Sequence, residues 1–260
     1  MVDLPAAAAA PPSGGGGATS PRPPSPPPPP PLNPPPKRKL RFLALHGFGQ
    51  TGAVFRSRSG SWRKGLKSRA DFFYLDAPFE APGCGGAGLS WWGWHGGPEE
   101  GARPSRSDRP IEGWAEARAT ILSAMVIHAP IDGLLGFSQG AAAAGWAVSD
   151  LASGAAAYPP GVPPLRCAIL AAGFIPGDAG ARGAFEAVAG SSGAVPPSLL
   201  IAGEGDEIVE AARTAAVARA WGLLGEESGA ASWLRHPGGH CLPTCSGGVK
   251  VRLGGWLDGV

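Results

Sequence analysis

The sequence predicts an α/β protein with a doubly wound, mostly parallel sheet of about six strands and helices on both faces. Two observations support this prediction. From residue 40 onward, short apolar runs alternate with longer helical segments, and this alternation indicates β-α units. Most of the runs are continuously apolar, which is typical of strands buried on both faces of a parallel sheet.

Six apolar runs have the length and composition of strands. We expect these strands at residues 40–45, 72–75, 133–137, 167–171, 198–202 and 232–235. Amphipathic or alanine-rich segments lie between them and predict helices at 111–127, 138–149 and 209–224. The Gly- and Trp-rich segment 80–110 and the segment 174–182 show neither pattern and are expected to be irregular.

The first 36 residues differ sharply in composition from the rest. They contain half of the 30 prolines, a run of five alanines and a run of four glycines. Such a segment buries too little apolar surface to offset its ordering entropy. We therefore expect 1–36 to be a disordered tail, partly polyproline II, and 37–260 to form one α/β domain. The tail could also bind SH3- or WW-like domains.

Charge and cysteine content narrow the class of protein. The net charge is only +2, so neither nucleic-acid nor membrane-surface binding is expected. No apolar stretch is long enough for a membrane span. The four cysteines are expected to be reduced thiols, although the C-x₃-C spacing of Cys241 and Cys245 leaves a zinc or redox pair as an alternative. We expect no metal and no cofactor.

The N-terminal segment bears on localisation. It lacks the basic region and apolar core of a secretory signal, so a cytoplasmic protein is expected. Lys37-Arg38-Lys39 could act as a nuclear signal, but a solvated basic stretch before the first strand is the simpler interpretation. Organelle targeting by the tail stays open as an alternative.

Ser138 is the candidate nucleophile. It lies at the centre of Gly136-Phe137-Ser138-Gln139-Gly140, which matches G-x-S-x-G. In a chain with 42 glycines such a match has little weight alone. Here, however, an apolar strand precedes it and an alanine-rich helix follows, which is the strand–turn–helix context of the nucleophile elbow in α/β-hydrolases. The turn is therefore expected to lift the Ser138 Oγ above the edge of the sheet.

A serine nucleophile needs a base and an acid. His240 follows the last predicted strand in a Gly-containing loop and is the candidate base, whereas His236 is expected to pack at the strand end. The chain order Ser, acid, His favours Asp206, which follows the fifth predicted strand. Other acids remain as alternatives by position, namely Glu204, Glu207 and Asp178.

Two backbone N–H groups are expected to form the oxyanion hole. One belongs to Gln139, directly after the nucleophile, and the other to Phe48 in the loop after the first strand. His46 precedes that loop, and we expect it to shape the hole rather than act as the base. If the first strand neighbours both the second and the third, these loops meet at the switch point of the sheet.

Apolar residues near these loops predict a substrate pocket. Phe48, Trp92, Phe174 and Ile175 are the candidate lining residues. Trp92 belongs to a group of three tryptophans, with Trp91 and Trp94, that we expect to be at least partly buried. They could wall an acyl pocket or simply pack the loop onto the domain, and both interpretations stay open.

With these pieces placed, the chain resembles the family of serine hydrolases known as the FSH group. The matching elements run in one order from about residue 40 to 243, and they are LALHGFGQTG, GFSQGA, AAGFIPG, GEGDEIV and HPGGHCLP. The resemblance implies a carboxylesterase-like α/β-hydrolase domain. It also implies the triad Ser138, Asp206 and His240, and medium- to long-chain alkyl or acyl esters as substrates.

The function expected from the sequence is hydrolysis of a small-molecule carboxylic ester through an acyl-enzyme. Two alternatives remain. An acyl-protein thioesterase or lysophospholipase also favours G-F-S-Q-G, and the fold could be retained as a small-molecule receptor, because a fold does not fix a function.

Overall fold

The computed structural model describes residues 38–94, 109–189, 195–223 and 231–260. The tail expected at 1–36 lies outside these residues, and so do residues 95–108 of the Gly- and Trp-rich segment. Within the described ranges, no helix combines the length and apolarity needed to cross a membrane.

The described chain alternates strands with helices. The strands are β1 (Leu40–Leu45), β2 (Ala70–Leu75), β3 (Phe79–Glu80), β4 (Leu89–Ser90), β5 (Gly93–Trp94), β6 (Ile111–Glu112), β7 (Gly133–Phe137), β8 (Cys167–Ala171), β9 (Ser198–Gly203) and β10 (Ala231–His236). The helices are α1 (Gly52–Arg58), α2 (Gly60–Gly65), α3 (Trp114–Ile127), α4 (Gln139–Ser153), α5 (Ala179–Ala187), α6 (Ala211–Ala220) and α7 (Gly247–Gly259).

Six of the strands form one parallel sheet in the order β10-β9-β8-β7-β1-β2, with helices flanking it. The predicted α/β fold is therefore confirmed. β1 pairs with both β2 and β7, so the strand order reverses at β1 as the sequence suggested. Ligands bind at such switch points, outside the carboxyl ends of the strands.

All six predicted strands are present, and their ends differ by two residues at most. β2 begins two residues earlier than expected, while β9 and β10 each extend slightly further. The helix predicted at 138–149 starts at Gln139, because Ser138 has a positive φ that a right-handed helix cannot contain, and it continues to Ser153. The helix predicted at 209–224 is shorter, at Ala211–Ala220.

Three other expectations are corrected. The helix predicted from residue 111 begins at Trp114, because Gly113 is left-handed (φ 86°) and residues 111–112 pair with β5 as a short strand. The segment 80–110 is not wholly irregular, since β3 pairs with β4 and β5 with β6. The segment 174–182 includes the start of α5, where the Asp178 side chain caps the helix by accepting from the Ala181 N–H.

The core surrounds the helix that follows the elbow. Every residue of α4 from Gln139 to Asp150 is buried, and the helix packs against α3, α5 and three strands of the sheet. Small side chains dominate this helix, so it lies close to β7 and β8. The start of α4, with Ser138, is thereby held against the carboxyl edge of the sheet.

Candidate active site

The turn at Ser138 is sharp and strained. Ser138 has φ 55° and ψ −120°, a left-handed backbone that non-glycine residues rarely adopt. The flanking glycines are required by contact: a Cβ at Gly136 would overlap the Ala141 backbone, and a Cβ at Gly140 would overlap the carbonyl of Leu45. The turn therefore has the geometry of a nucleophile elbow.

Three side chains from three loops meet at this turn. The His240 Nε2 lies 2.8 Å from the Ser138 Oγ, and the His240 Nδ1 lies 2.8 Å from the Asp206 Oδ2. The other carboxylate oxygen of Asp206 accepts the backbone N–H groups of Ile208 and Val209 at 2.9 and 2.8 Å. Since the carboxylate accepts from Nδ1–H, a neutral His240 ring keeps Nε2 free to accept the serine proton.

Packing fixes the imidazole ring and its loop. The Phe137 ring lies 5.0 Å from the His240 ring, centroid to centroid. The loop that carries His240 folds back against the end of β9, where a Cβ at Gly203 would overlap the Gly238 carbonyl and the Gly205 N–H donates to the same oxygen at 3.2 Å. The lack of a side chain at Gly203 thus allows the close approach of the His240 loop to the end of β9.

The alternative acids lie elsewhere. Glu204 and Glu207 are exposed, whereas the Asp206 side chain is only 1% exposed. Asp178 accepts from the Ile111 and Ala181 backbone N–H groups and so joins α5 to β6. Of the four acids considered from the sequence, Asp206 is the one that contacts His240.

Two backbone N–H groups remain available beside Ser138. In the described residues, neither the Phe48 nor the Gln139 N–H has a hydrogen-bond partner, and both residues line the same cavity as Ser138. Gln139 is the first residue of α4, where N–H groups are unpaired and the helix dipole is positive. The indole of Trp91 donates to the His46 carbonyl at 2.9 Å and so anchors the loop that carries Phe48.

The other histidines near this edge have structural contacts. His46 is fully buried; its Nδ1–H donates to the Gly47 carbonyl at 2.8 Å, and its Nε2 accepts the Ala77 N–H at 3.0 Å. Burial lowers the pKa of His46, which favours the neutral ring that these two bonds require. His236 is buried at the end of β10, and burial lowers its pKa as well.

A cavity of about 600 Å³ opens beside the serine. Its lining is mainly aromatic and apolar, with a few polar groups, and consists of Gly47, Phe48, Gln50, Arg58, Trp92, Trp94, Phe137, Ser138, Gln139, Phe174, Ile208 and His240. Three of the four residues predicted to line a pocket belong to this lining, namely Phe48, Trp92 and Phe174. Ile175 is not in the lining; it is half-buried and packs against the core.

Both interpretations of the tryptophan segment apply, to different residues. Trp91 is fully buried in the core, whereas Trp92 and Trp94 line the cavity. The Gln139 side chain joins this segment to the elbow, because its Oε1 accepts the Trp91 N–H at 3.1 Å and its Nε2 donates to the Ser90 Oγ at 3.0 Å. The cavity wall is thus attached to the start of α4.

The lining contains residues that sequence reasoning did not find. Gln50 ends the same HGFGQ segment that contains Phe48, so its position after β1 was a usable signal. Phe137 and Trp94 adjoin residues already considered. Arg58 and Ile208 gave no local signal, because only the folded chain brings α1 and the loop after β9 to one cavity.

The described side chains do not form a cluster that could bind a metal ion. In the four described ranges, no group of three or more His, Cys, Asp or Glu side chains could hold a metal ion. All four cysteines are free, including Cys241 and Cys245. Burial raises the pKa of Cys167 to about 12, so this thiol in β8 stays protonated.

The sequence is similar to those of known proteins. Residues 36–250 match the family described as "Serine hydrolase (FSH1)". The mouse esterase OVCA2 is 33% identical over 84% of this chain and 95% of its own length. The human esterase OVCA2 is 30% identical over 81% and 92%, and the Drosophila melanogaster esterase CG5412 is 29% identical over 79% and 69%.

Solved structures of other proteins have a similar fold. The Zea mays acyl-protein thioesterase 2 superimposes with a TM-score of 0.58 and 22% identity, covering 87% of this chain and 97% of its own. Arabidopsis thaliana SOBER1 gives a TM-score of 0.58 at 17% identity, covering 85% and 98%. The family match spans most of the chain, including the whole Ser138 site. The chain therefore belongs to the FSH1 family of serine hydrolases.

Proposed function

We propose that this serine hydrolase is a carboxylesterase that works through an acyl-enzyme on Ser138, with His240 as the base and Asp206 as the acid that orients it. The observation that supports the proposal most strongly is the pair of 2.8 Å contacts joining Ser138, His240 and Asp206 at the wall of a cavity.

In the acylation half of the reaction, Ser138, His240 and Asp206 have different roles. The Ser138 Oγ attacks the ester carbonyl carbon while His240 Nε2 takes the hydroxyl proton. Asp206 stabilises the imidazolium, and because its second oxygen is held by two backbone N–H groups, the carboxylate cannot rotate away. The intermediate then expels the alcohol, which leaves with the proton returned by His240.

The N–H groups of Phe48 and Gln139 would hold the negative oxygen of this intermediate. Both are backbone groups on packed elements, so they need no rearrangement as charge develops. In deacylation a water molecule gives its proton to His240 and attacks the acyl carbon. The serine then leaves, taking the proton back, and the free acid departs.

The aromatic lining favours an apolar acyl or alkyl chain. Burying one methylene contributes about 0.8 kcal/mol, or about a fourfold gain in binding. We expect kcat/KM on a series of p-nitrophenyl esters to rise by up to about fourfold per methylene until the cavity is filled, and then to level off. A flat profile from two to ten carbons would contradict a role for this cavity in holding the chain.

Ser138→Ala tests the mechanism. We expect p-nitrophenyl ester hydrolysis to fall by at least about 10³-fold, since the nucleophile is lost while the fold remains. Ser153→Ala, at the far end of α4, is a matched control that should keep full activity. Circular dichroism and urea unfolding would show that both variants fold. Undiminished hydrolysis by Ser138→Ala would exclude this serine as the nucleophile.

A thioesterase is the second candidate. The same attack cleaves a thioester, and the aromatic cavity would accept a long acyl chain from either substrate. Acyl-protein thioesterase 2 of Zea mays shares the fold. Comparing kcat/KM for a palmitoylated peptide and for an alkyl ester of equal acyl length separates the two activities. A protein that bound such ligands but hydrolysed neither would support the receptor alternative instead.

A further inference from the structure

Two polar side chains near the two ends of α1 line the mainly apolar cavity. Gln50 precedes the helix, and Arg58 is its last residue. Both residues line the cavity, and the seven-residue helix between them in the chain is about 10 Å long. Neither has a role in the proposed acyl-enzyme chemistry.

The Gln50 side chain has a buried oxygen without a hydrogen-bond partner among the described residues. The residue is 8% exposed, and its Oε1 is buried with no hydrogen bond from the described part of the chain. Its backbone is fixed, because the Gln50 N–H donates to the Gly47 carbonyl and the Gln50 carbonyl accepts the Leu89 N–H. Buried amide oxygens are normally hydrogen-bonded, and rotation of this side chain would bring its amide to face the cavity that Gln50 lines.

Arg58 supplies a permanent charge at the same cavity. Its side chain is exposed, and among the described residues it has no ion pair and no hydrogen bond. A guanidinium presents a planar fork of donors that matches a carboxylate. Among the described lining residues it is the one that is always charged, so it favours an anionic group on a bound molecule.

We propose that the substrate is an ester that also carries a carboxylate, separated from the scissile carbonyl by an apolar spacer and held by Arg58. The Gln50 amide, rotated to face the cavity, hydrogen-bonds a hydroxyl of the same molecule, and the aromatic lining holds the spacer. This inference rests on the proposed esterase function. The carboxylate could belong to the acyl part or to the alcohol part of the ester, and both present the same chemistry to Arg58.

Matched pairs of esters test the charge. In one arm, the mono-p-nitrophenyl esters of six- to ten-carbon dicarboxylic acids are compared with p-nitrophenyl esters of the methyl-terminated acids of equal length. In the other arm, the carboxylate is on the alcohol. The readout is the ratio of kcat/KM for the charged ester to that for the neutral one, measured at several salt concentrations.

Arg58→Gln should lower that ratio about tenfold in one of the two arms, mainly through KM, and should abolish its decrease with added salt. Arg56→Gln removes the same charge from the same helix but outside the cavity lining, so it should leave the ratio as in the wild type. A ratio that Arg58→Gln leaves unchanged in both arms would overturn the proposal, while hydrolysis of the neutral esters would leave the esterase function standing.

Binding separates this site from catalysis. A half-amide of the preferred dicarboxylate is not readily hydrolysed, and its Kd can be measured by calorimetry on Ser138→Ala. We expect Kd to rise about tenfold when Arg58→Gln is added. If no ester is hydrolysed, the esterase proposal fails, yet this rise in Kd would still support the anion site. An equal Kd in both variants would overturn it.

A substitution at Gln50 provides a second test of the proposed binding site. Gln50→Met keeps the volume of the side chain but removes both polar ends of the amide. Because no hydrogen bond to a described residue is lost, we expect thermal stability to be equal or higher. Binding of a half-amide ligand that bears a spacer hydroxyl should weaken relative to its deoxy analogue. Equal weakening of both ligands would contradict a hydrogen bond to Gln50.

Discussion

Two buried aspartates lie at opposite ends of the central sheet and have different partners. Asp206 follows β9 at the carboxyl end, whereas Asp132 precedes β7 at the amino end, and their side chains are 1% and 2% exposed. Asp206 contacts the His240 ring. Asp132 accepts two hydrogen bonds from the Arg38 guanidinium and one from the Arg41 N–H. Burial and residue type are the same, so the partner distinguishes the two sites.

The partner decides what each carboxylate can do. A guanidinium keeps its proton, so the contacts of Asp132 can only hold chain segments together. An imidazole can accept and return a proton, so in the proposed mechanism Asp206 would support proton transfer at Ser138. Under the proposed mechanism, the carboxyl end of this sheet carries the reactive groups, whereas the amino end carries a charge cluster that joins chain segments.

Asp206→Asn tests the carboxyl end and should have the largest effect. An amide can hold His240 in the wrong tautomer and cannot stabilise the imidazolium, so we expect kcat for p-nitrophenyl esters to fall by about 10³- to 10⁴-fold. Stability should change by only about 1 kcal/mol, because the amide oxygen can still accept from the Ile208 and Val209 N–H groups. A loss below tenfold in kcat would contradict the assigned role.

Asp132→Asn tests the amino end. It leaves the Arg38 pair broken, and we expect the free energy of unfolding to fall by about 2 kcal/mol, a value reduced because the Arg38 side chain is 53% exposed. Activity of the folded fraction should match the wild type. Asp71→Asn is the matched control: its ion pair with Lys39 is exposed on both sides, so its removal should cost under about 1 kcal/mol by urea titration.

The pH dependence of stability gives a second test of the Asp132 ion pair. Burial raises the pKa of Asp132, but the Arg38 hydrogen bonds and the other positive partners outweigh it, so the net pKa lies below its ordinary value of 3.8. A lowered folded-state pKa contributes stability that is present above the ordinary pKa and is lost as pH falls through the folded one. The stability difference between wild type and Asp132→Asn should therefore shrink below about pH 4. A constant difference would contradict this pair.

Gln139→Ala should have the smallest effect of these three substitutions. It keeps the backbone N–H but leaves the Trp91 N–H and Ser90 without the side-chain amide. We expect a loss of about 1–2 kcal/mol in the free energy of unfolding and a higher KM, because the tryptophan segment forms part of the cavity wall. Asn at this position is the conservative comparison. A kcat loss as large as that of Asp206→Asn would contradict a supporting role.

The strands and the elbow could be predicted because their signals are local. Mainly apolar runs marked the strands of the main sheet, and G-x-S-x-G between an apolar strand and an alanine-rich helix marked the turn at Ser138. Four helices were missed, namely α1, α2, α5 and α7. The first two are short, whereas α5 and α7 are rich in glycine or alanine and are stabilised by nonlocal burial. Phe185 in α5 and Leu253 and Leu257 in α7 are buried against the rest of the domain.

The cavity was only partly predictable. Phe48 lies in the loop after β1, Trp92 in a group of tryptophans and Phe174 directly after β8, so local sequence and chain position were enough to find them. Ile175 was placed by the same reasoning, yet it packs against the core. Arg58 lies a full helix away from the oxyanion loop, and only the packing of α1 brings it to the cavity.

Labelling of the full chain with a fluorophosphonate, followed by peptide mass spectrometry, tests the central claim most directly. The reagent phosphonylates a serine only where a base and an oxyanion hole activate it. We predict one adduct per chain, on Ser138, at a rate that Asp206→Asn lowers strongly and Asp132→Asn leaves unchanged. An unlabelled Ser138, or an adduct on another residue, would contradict the assignment of Ser138 as the nucleophile.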